Sequence, residues 1–223
     1  MKNSYTIVVK VEIETLFNGN GILSHSRMDH LAMVCTNLQN SGLNVMMVSS
    51  GAIVLGCARL GMDSQPRGVV QKQAVAAVGQ AELMRLYHLY FDVYDQKVAQ
   101  VLLTNDVVTN PVRNKNAKGT FEKLLEKDVI PIINENDSVS TDDIIENDNY
   151  PLTLIVANIT VADAIVVKTS RETDYQLVLK GNEFVYEVSE QDLYTLANDL
   201  IQGRYEKLDT IDGFPLQISR NLI

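Results

Sequence analysis

Four groups of polar residues stand where apolar runs of this chain end, and their types suit the binding of a small charged molecule. Lys10 lies inside the run TIVVKV, from Thr6 to Val11. An ammonium in an apolar strand is costly unless it is paired or aimed at an anion; the other reading is an edge lysine whose stem reaches out to water. Ser49-Ser50-Gly51 follows the run from Asn44 to Val48 and opens a helix. Helix N-termini present free N–H groups and partial positive charge to a carboxylate or phosphate, and glycine allows close approach, although many such junctions only cap a helix. Asn134-Glu135-Asn136-Asp137 comes directly after VIPII. These residues either bind an ammonium through a carboxylate and a carboxylate through amides, or form an Asx-rich turn. Asn147-Asp148-Asn149 precedes Pro151 and is either a plain turn or the far wall of the same pocket.

Other chemistries find less support. His25, His30 and His88 are scattered without ligand spacing and read as structural, and Cys35 and Cys57 read as buried apolar side chains. No metal site, GxGxxG string or Walker-A loop is present in the sequence. The formal charge of -9 and pI near 4.8, with no Lys/Arg cluster, argue against a nucleic-acid partner. No apolar stretch approaches the roughly 18 residues that span a bilayer, and the N-terminus lacks a signal pattern. No membrane association is expected, and the expected compartment is the cytoplasm.

The elements that must carry these residues follow from periodicity. Thr6 to Val11, Asn44 to Val48, Val98 to Leu103, Val129 to Ile133 and Ala164 to Val167 are near-continuous apolar runs, the mark of parallel strands covered on both faces. Helices alternate with them. One starts from a capping box at Ser26 and Asp29 and ends before Gly42; another runs from Ser49-Ser50-Gly51 to Gly61. The longest spans about Lys72 to Tyr94, with Ala74, Ala77, Val78, Ala81, Met84, His88 and Phe91 on its inward face. Asn116 to Lys127 and Pro151 to Ala162 are two more, Pro151 suiting a first helical position. Leu177 to Leu179 and Phe184 to Val188 read as a hairpin, and Ser189 and Asp192 cap a last helix ending near Gly203. The 223 residues, 46% hydrophobic and 21% charged, are expected to form a single α/β domain, a three-layer α/β/α sandwich around a mainly parallel sheet. Ligands of such sheets bind beyond the carboxyl ends of the strands.

At these residues the sequence resembles the glutamate 5-kinase (gamma-glutamyl kinase) branch of the amino-acid-kinase family. VVKV with Lys10, VSSGAIVLG at 48–56, KQAVAAVGQAELM at 72–84, AQVLLT at 99–104, the Asn116-Ala117 and Thr120 pattern, and IPIINENDSV at 130–139 follow that family in order and spacing. The likeness covers about residues 5 to 168. It implies the carbamate-kinase-like fold, a homo-oligomer, and Mg²⁺- and ATP-dependent phosphorylation of the γ-carboxylate of L-glutamate, the opening step of proline synthesis. By the same carry-over Ser50, Asp137 and Asn149 are glutamate contacts, with Gly51, Asn134 and Asp148 beside them. Lys10 is the catalytic and phosphate-contacting cation, and Thr169 a nucleotide contact.

Several segments depart from the family. Glu12-Ile13-Glu14 stands where the family has a small Gly-Ser/Thr-Ser loop, and carboxylates repel phosphate. Asn147-Asp148-Asn149-Tyr150 lacks the second aspartate of the G-D-N-D string. The nucleotide segment survives only as Lys168 to Tyr175, and residues 209–223 hold no Gly-rich loop with its lysine. No PUA appendage is expected. The chain thus divides into an amino-acid side at about 1–165 and a degraded nucleotide side at about 166–223. Two functions remain open: a divergent glutamate 5-kinase, or a non-catalytic amino-acid-binding sensor or regulatory subunit.

Overall fold

The computed structural model describes residues 5–17, 22–140, 149–168, 174–179 and 185–201. In chain order these form β1 (Thr6–Val11), α1 (Ile13–Leu16), α2 (His25–Asn40), β2 (Asn44–Ser49), α3 (Ala52–Arg59), α4 (Val69–Asp92) and β3 (Val98–Leu103). A short 3-10 turn (Asn105–Val107) leads to α5 (Pro111–Leu125), β4 (Ile130–Glu135), α6 (Tyr150–Thr160), β5 (Ala164–Lys168), β6 (Asp174–Leu179), β7 (Val185–Ser189) and α7 (Glu190–Ile201).

The strands make one seven-stranded sheet in the order β3-β4-β2-β1-β5-β6-β7. The first five are parallel; β6 and β7 add an antiparallel edge. Both faces are covered, which is why the strands are apolar at nearly every position. Ile7, Val9, Val45, Met47, Ile132 and Val166 face a core built with α2, α4 and α7. Val8, Met46, Val48, Ile133, Ile165 and Val167 face a second core built with α5 and α6. Each such side chain contributes roughly 1.5–3 kcal/mol when fully buried. The expected α/β/α sandwich is therefore what the chain forms. Among the described residues, no helix is long and apolar enough to cross a membrane.

Register brings the strand ends level. Val11 pairs with Ser49 on one side and with Lys168 on the other, and Leu103 pairs with Glu135. The carboxyl edge of the sheet thus gathers residues from β1, β2, β4 and β5.

Several local expectations need correction. Of the seven residues expected on the inward face of α4, only Met84 and Phe91 are buried; Val75, Ala76, Gly79, Gln80, Leu83, Leu86, Tyr87 and Tyr90 face inward with them. Alanine and valine all round this helix make its apolar stripe ambiguous, and Gly79 decides its rotation. A Cβ at Gly79 would lie 1.7 Å from the Ala52 carbonyl oxygen, so only glycine lets α4 cross α3 at this distance. The capping box at Ser26 and Asp29 does not form. Ser24 precedes α2 without a side-chain cap bond, and Asp29 instead accepts from the Tyr94 hydroxyl at 3.0 Å. The box at Ser189 and Asp192 does form: the Ser189 N–H donates to Asp192 Oδ2 at 2.8 Å, and the Asp192 N–H donates to Ser189 Oγ at 3.3 Å.

Two glycine-to-alanine changes test this account in opposite directions. Gly79→Ala is expected to cost about 2–3 kcal/mol and lower the melting temperature by roughly 4–12 °C. Gly119→Ala, within α5 where an added Cβ meets nothing within 4 Å, is expected to stabilise by about 0.5–1 kcal/mol. Thermal denaturation of both variants checks the pair; equal effects would contradict the close crossing.

Candidate functional site

The site is built on the carboxyl edge of β1, β2 and β4, with the first turn of α6 closing it. Lys10 sits one residue before the end of β1, on the face shared with Val48 and Val167. Its side chain is 6% exposed, and its ammonium lies 2.8 Å from Glu12 Oε1 and 5.4 Å from the centre of the Tyr150 ring. Glu12 directly follows the last residue of β1, only two positions from Lys10, so the end of the strand brings it alongside. A buried ammonium requires such a counter-charge. Lys10 is thus neither an edge lysine nor an uncompensated cation.

At the end of β2, Ser49 is fully buried and shares a 2.6 Å hydrogen bond with the Tyr87 hydroxyl of α4. Burial holds that phenol well above its ordinary pKa, so it stays neutral. The Ser50 N–H donates to the Val11 carbonyl at 3.2 Å, tying the ends of β1 and β2 together. Gly51 has φ of +118°, a conformation that favours glycine, and precedes α3 without a side-chain cap bond. The first N–H groups of α3 therefore have no side chain of Gly51 to cap them.

At the end of β4, Asn134 and Glu135 are still strand residues and both are buried. The turn begins after them: the Asn136 carbonyl accepts from the N–H groups of Val139 at 3.0 Å and Ser140 at 2.9 Å. The expected turn thus forms from Asn136 onward, while Asn134 and Glu135 stay in the strand. Gln73 Nε2 donates to the Ser140 carbonyl at 3.4 Å, and the Ser140 hydroxyl donates to Glu135 Oε1, so the loop is held at its far end.

That loop carries Asp137, half-buried and without a hydrogen-bond or ion-pair partner among the described residues. Burial first, then the charge of Glu135, raises its carboxyl from 3.8 to about 6. A partly desolvated carboxylate with no counter-ion is a place for an incoming cation.

Asn149, just before α6, is also buried. Its Nδ2 donates to the Ser49 carbonyl at 3.2 Å and to Asn134 Oδ1 at 3.0 Å. Asn134 Nδ2 donates in turn to Gln80 Oε1 at 2.9 Å. Of the residues singled out in the sequence, Lys10, Ser50, Gly51, Asn134, Asp137 and Asn149 therefore lie along one edge. Asp148 and Thr169 fall outside the described residues. Sequence reasoning missed Gln73 and Gln80. The available signal was their seven-residue spacing, two helical turns, around the apolar stretch AVAAVG.

The histidines and cysteines lie elsewhere. His25 Nδ1 meets the Tyr90 hydroxyl, His30 Nε2 lies 2.9 Å from Glu190 Oε2, and His88 is exposed. Cys35 is buried and its thiol is pushed up to about 12, an inert group. Among the described residues, no three His, Cys, Asp or Glu side chains gather as a metal site.

Comparison with known proteins covers the part of the chain that forms this edge. The profile of the "Amino acid kinase family" matches residues 7–173. A glutamate 5-kinase of Listeria innocua is 43% identical over 171 residues, covering 75% of this chain and 62% of that protein. One of Clostridium perfringens is 41% identical over 187 residues, covering 82% and 70%, and one of Enterococcus faecalis is 38% identical over 206 residues, covering 88% and 76%. The chain spans under two thirds of the length of the Listeria relatives it matches.

The raised carboxyl of Asp137 has a stability consequence of definite sign. The folded chain holds this proton more tightly than the unfolded chain, so stability falls as pH rises from about 4 to about 6. Above that window the ionised group costs about 1–2 kcal/mol, allowing for its partial contact with solvent. Asp137→Asn is expected to raise the melting temperature by roughly 2–8 °C near pH 7 and to change it little near pH 4. Thermal unfolding at both pH values checks this; destabilisation near pH 7 would show that Asp137 is paired.

Proposed function

This chain belongs to the amino acid kinase family and is closely related to glutamate 5-kinases, and from that premise we propose that it binds L-glutamate, with phosphoryl transfer from ATP to the γ-carboxylate held back by Glu12. The observation that carries the reading is the contrast between two charges on one edge. Asp137 has no partner among the described residues, while Lys10 is already paired with Glu12 at 2.8 Å. Asp137 calls for a cation such as an amino acid's ammonium, whereas the lysine that a phosphate would need is already engaged.

Asp137 takes the ammonium of the bound amino acid, and the N-terminus of α3 beside Ser50 and Gly51 takes an anionic group. Asn134 and Asn149 hold the strand ends around it. Mg²⁺ and ATP are the family's chemistry, and on this chain their side does not fit. The lysine assigned to the phosphates is bound by a carboxylate, and a carboxylate beside a triphosphate is repulsive. One misplaced donor in a preorganised site costs about a hundredfold or more in rate. The chain then acts mainly as an amino-acid-binding regulatory member of the family, with residues up to about 165 forming the amino-acid side. The free buried thiols Cys35 and Cys57 suit a reducing cytoplasm. Assembly of like copies belongs to the same reading: α4 leaves Val78, Leu89 and Val93 exposed, apolar area that association would cover.

Two measurements test the two halves. L-Glutamate affinity is expected to fall about tenfold per pH unit below about pH 6, because protonation of Asp137 removes the charge that holds the ammonium. An affinity flat from about pH 7 to 5 would remove Asp137 from the reading. Glu12→Gly is expected to raise glutamate-dependent ADP release with Mg·ATP by about tenfold or more over the unchanged chain. Brisk turnover by the unchanged chain, unaffected by that substitution, would restore the reading of an ordinary glutamate 5-kinase.

A further inference from the structure

A line of three amides runs under the amino-acid pocket, and its polarity is set at one end. The Ser49 backbone carbonyl can only accept, so the Asn149 group facing it is Nδ2. The same nitrogen faces Asn134, which must answer with Oδ1. Asn134 therefore turns its own Nδ2 toward α4, and Gln80 answers with Oε1. Reversing any single amide would set donor against donor or acceptor against acceptor. One group is left over. Gln80 is 9% exposed, and its Nε2 has no hydrogen-bond partner among the described residues. Stability alone selects against a buried donor left unmade. Methionine has similar volume and no such donor, and would give up only the hold on Asn134.

We propose that Gln80 is a positioning residue for this pocket: by accepting from Asn134 it locks Asn134 and Asn149 in one amide orientation, and so fixes the ends of β2 and β4 and the start of α6 around the ligand. This inference rests on the amino-acid reading above. Gln80 acts through Asn134, which lies three residues before Asp137, and through Asn149, whose tether ends on the carbonyl preceding Ser50. Without the Gln80 acceptor, the buried Asn134 Nδ2 has no partner and its amide is free to invert. Asn149 then loses its acceptor on Asn134, and the Ser49 carbonyl loses its fixed donor.

Gln80→Met on the full chain is the test, read in two ways. By calorimetry, L-glutamate affinity is expected to fall about tenfold or more. The ligand-free melting temperature is expected to fall by no more than about 4 °C, because the donor removed at Gln80 offsets the one left unpaired on Asn134 and only one hydrogen bond, about 1 kcal/mol, is lost. Gln80→Glu, which keeps an oxygen facing Asn134, is expected to recover part of that affinity. By NMR on the ligand-free protein, the Asn149 side-chain amide protons are expected to exchange slowly in the unchanged chain and about tenfold faster in the methionine variant. Unchanged Asn149 protection, or unchanged affinity in a folded methionine variant, overturns the proposal. Should the unchanged chain bind no L-glutamate, the amino-acid reading fails by itself, and the exchange measurement still decides whether Gln80 orders the line.

Discussion

A buried ammonium must find its counter-charge nearby, and in this fold Lys10 finds it two residues along its own chain. The pairing with Glu12 divides the carboxyl edge of the sheet into two electrical halves. Around β1 the charge is already balanced. Around β4, Asp137 is partly withdrawn from water and has no cation beside it among the described residues. A partly desolvated carboxylate such as Asp137 is the feature of this edge that would recognise a cation.

The scaffold explains how so much polarity is tolerated at a sheet edge. The buried polar groups there answer one another: the Ser49 hydroxyl that of Tyr87, Asn149 the Ser49 carbonyl and Asn134, and Asn134 Gln80. All three helical partners of β2 and β4 in this network come from α4 or the entry to α6. The close crossing at Gly79 seats α4 against α3, one residue from Gln80, and Gln73 holds the Asp137 loop two turns earlier. The motif KQAVAAVGQ thus has a physical meaning: two glutamines that grip the end of β4, and a glycine that sets the depth of the helix carrying them.

The sheet was legible in the sequence because strands buried on both faces have almost no choice but apolar residues, and Thr6 to Val11 is such a run. The Ser189 and Asp192 box was legible because both partners are local. The rotation of α4 was not, since alanine and valine on every side leave the stripe to be decided by a contact with α3. The amide line was hidden for a different reason. Gln80 and Asn134 are 54 positions apart, and they meet only because β4 lies beside β2 in the sheet. The pairing of Lys10 with Glu12 was within reach, because the two lie only two positions apart at the end of β1. Sequence reading took Glu12 as a source of repulsion, and the structure makes it a partner as well.

The account predicts a particular exchange of protons on binding. Free Asp137 is about half protonated near pH 6, and pairing with an ammonium favours its charged form, so L-glutamate should displace roughly half a proton there. Calorimetry of the unmodified protein near pH 6, in two buffers of different ionisation enthalpy, measures that proton, and a parallel titration with Mg·ATP measures the other half of the edge. Release of about half a proton with L-glutamate, and no heat from Mg·ATP, is the expected result. Tight Mg·ATP binding together with L-glutamate binding that moves no proton would contradict it.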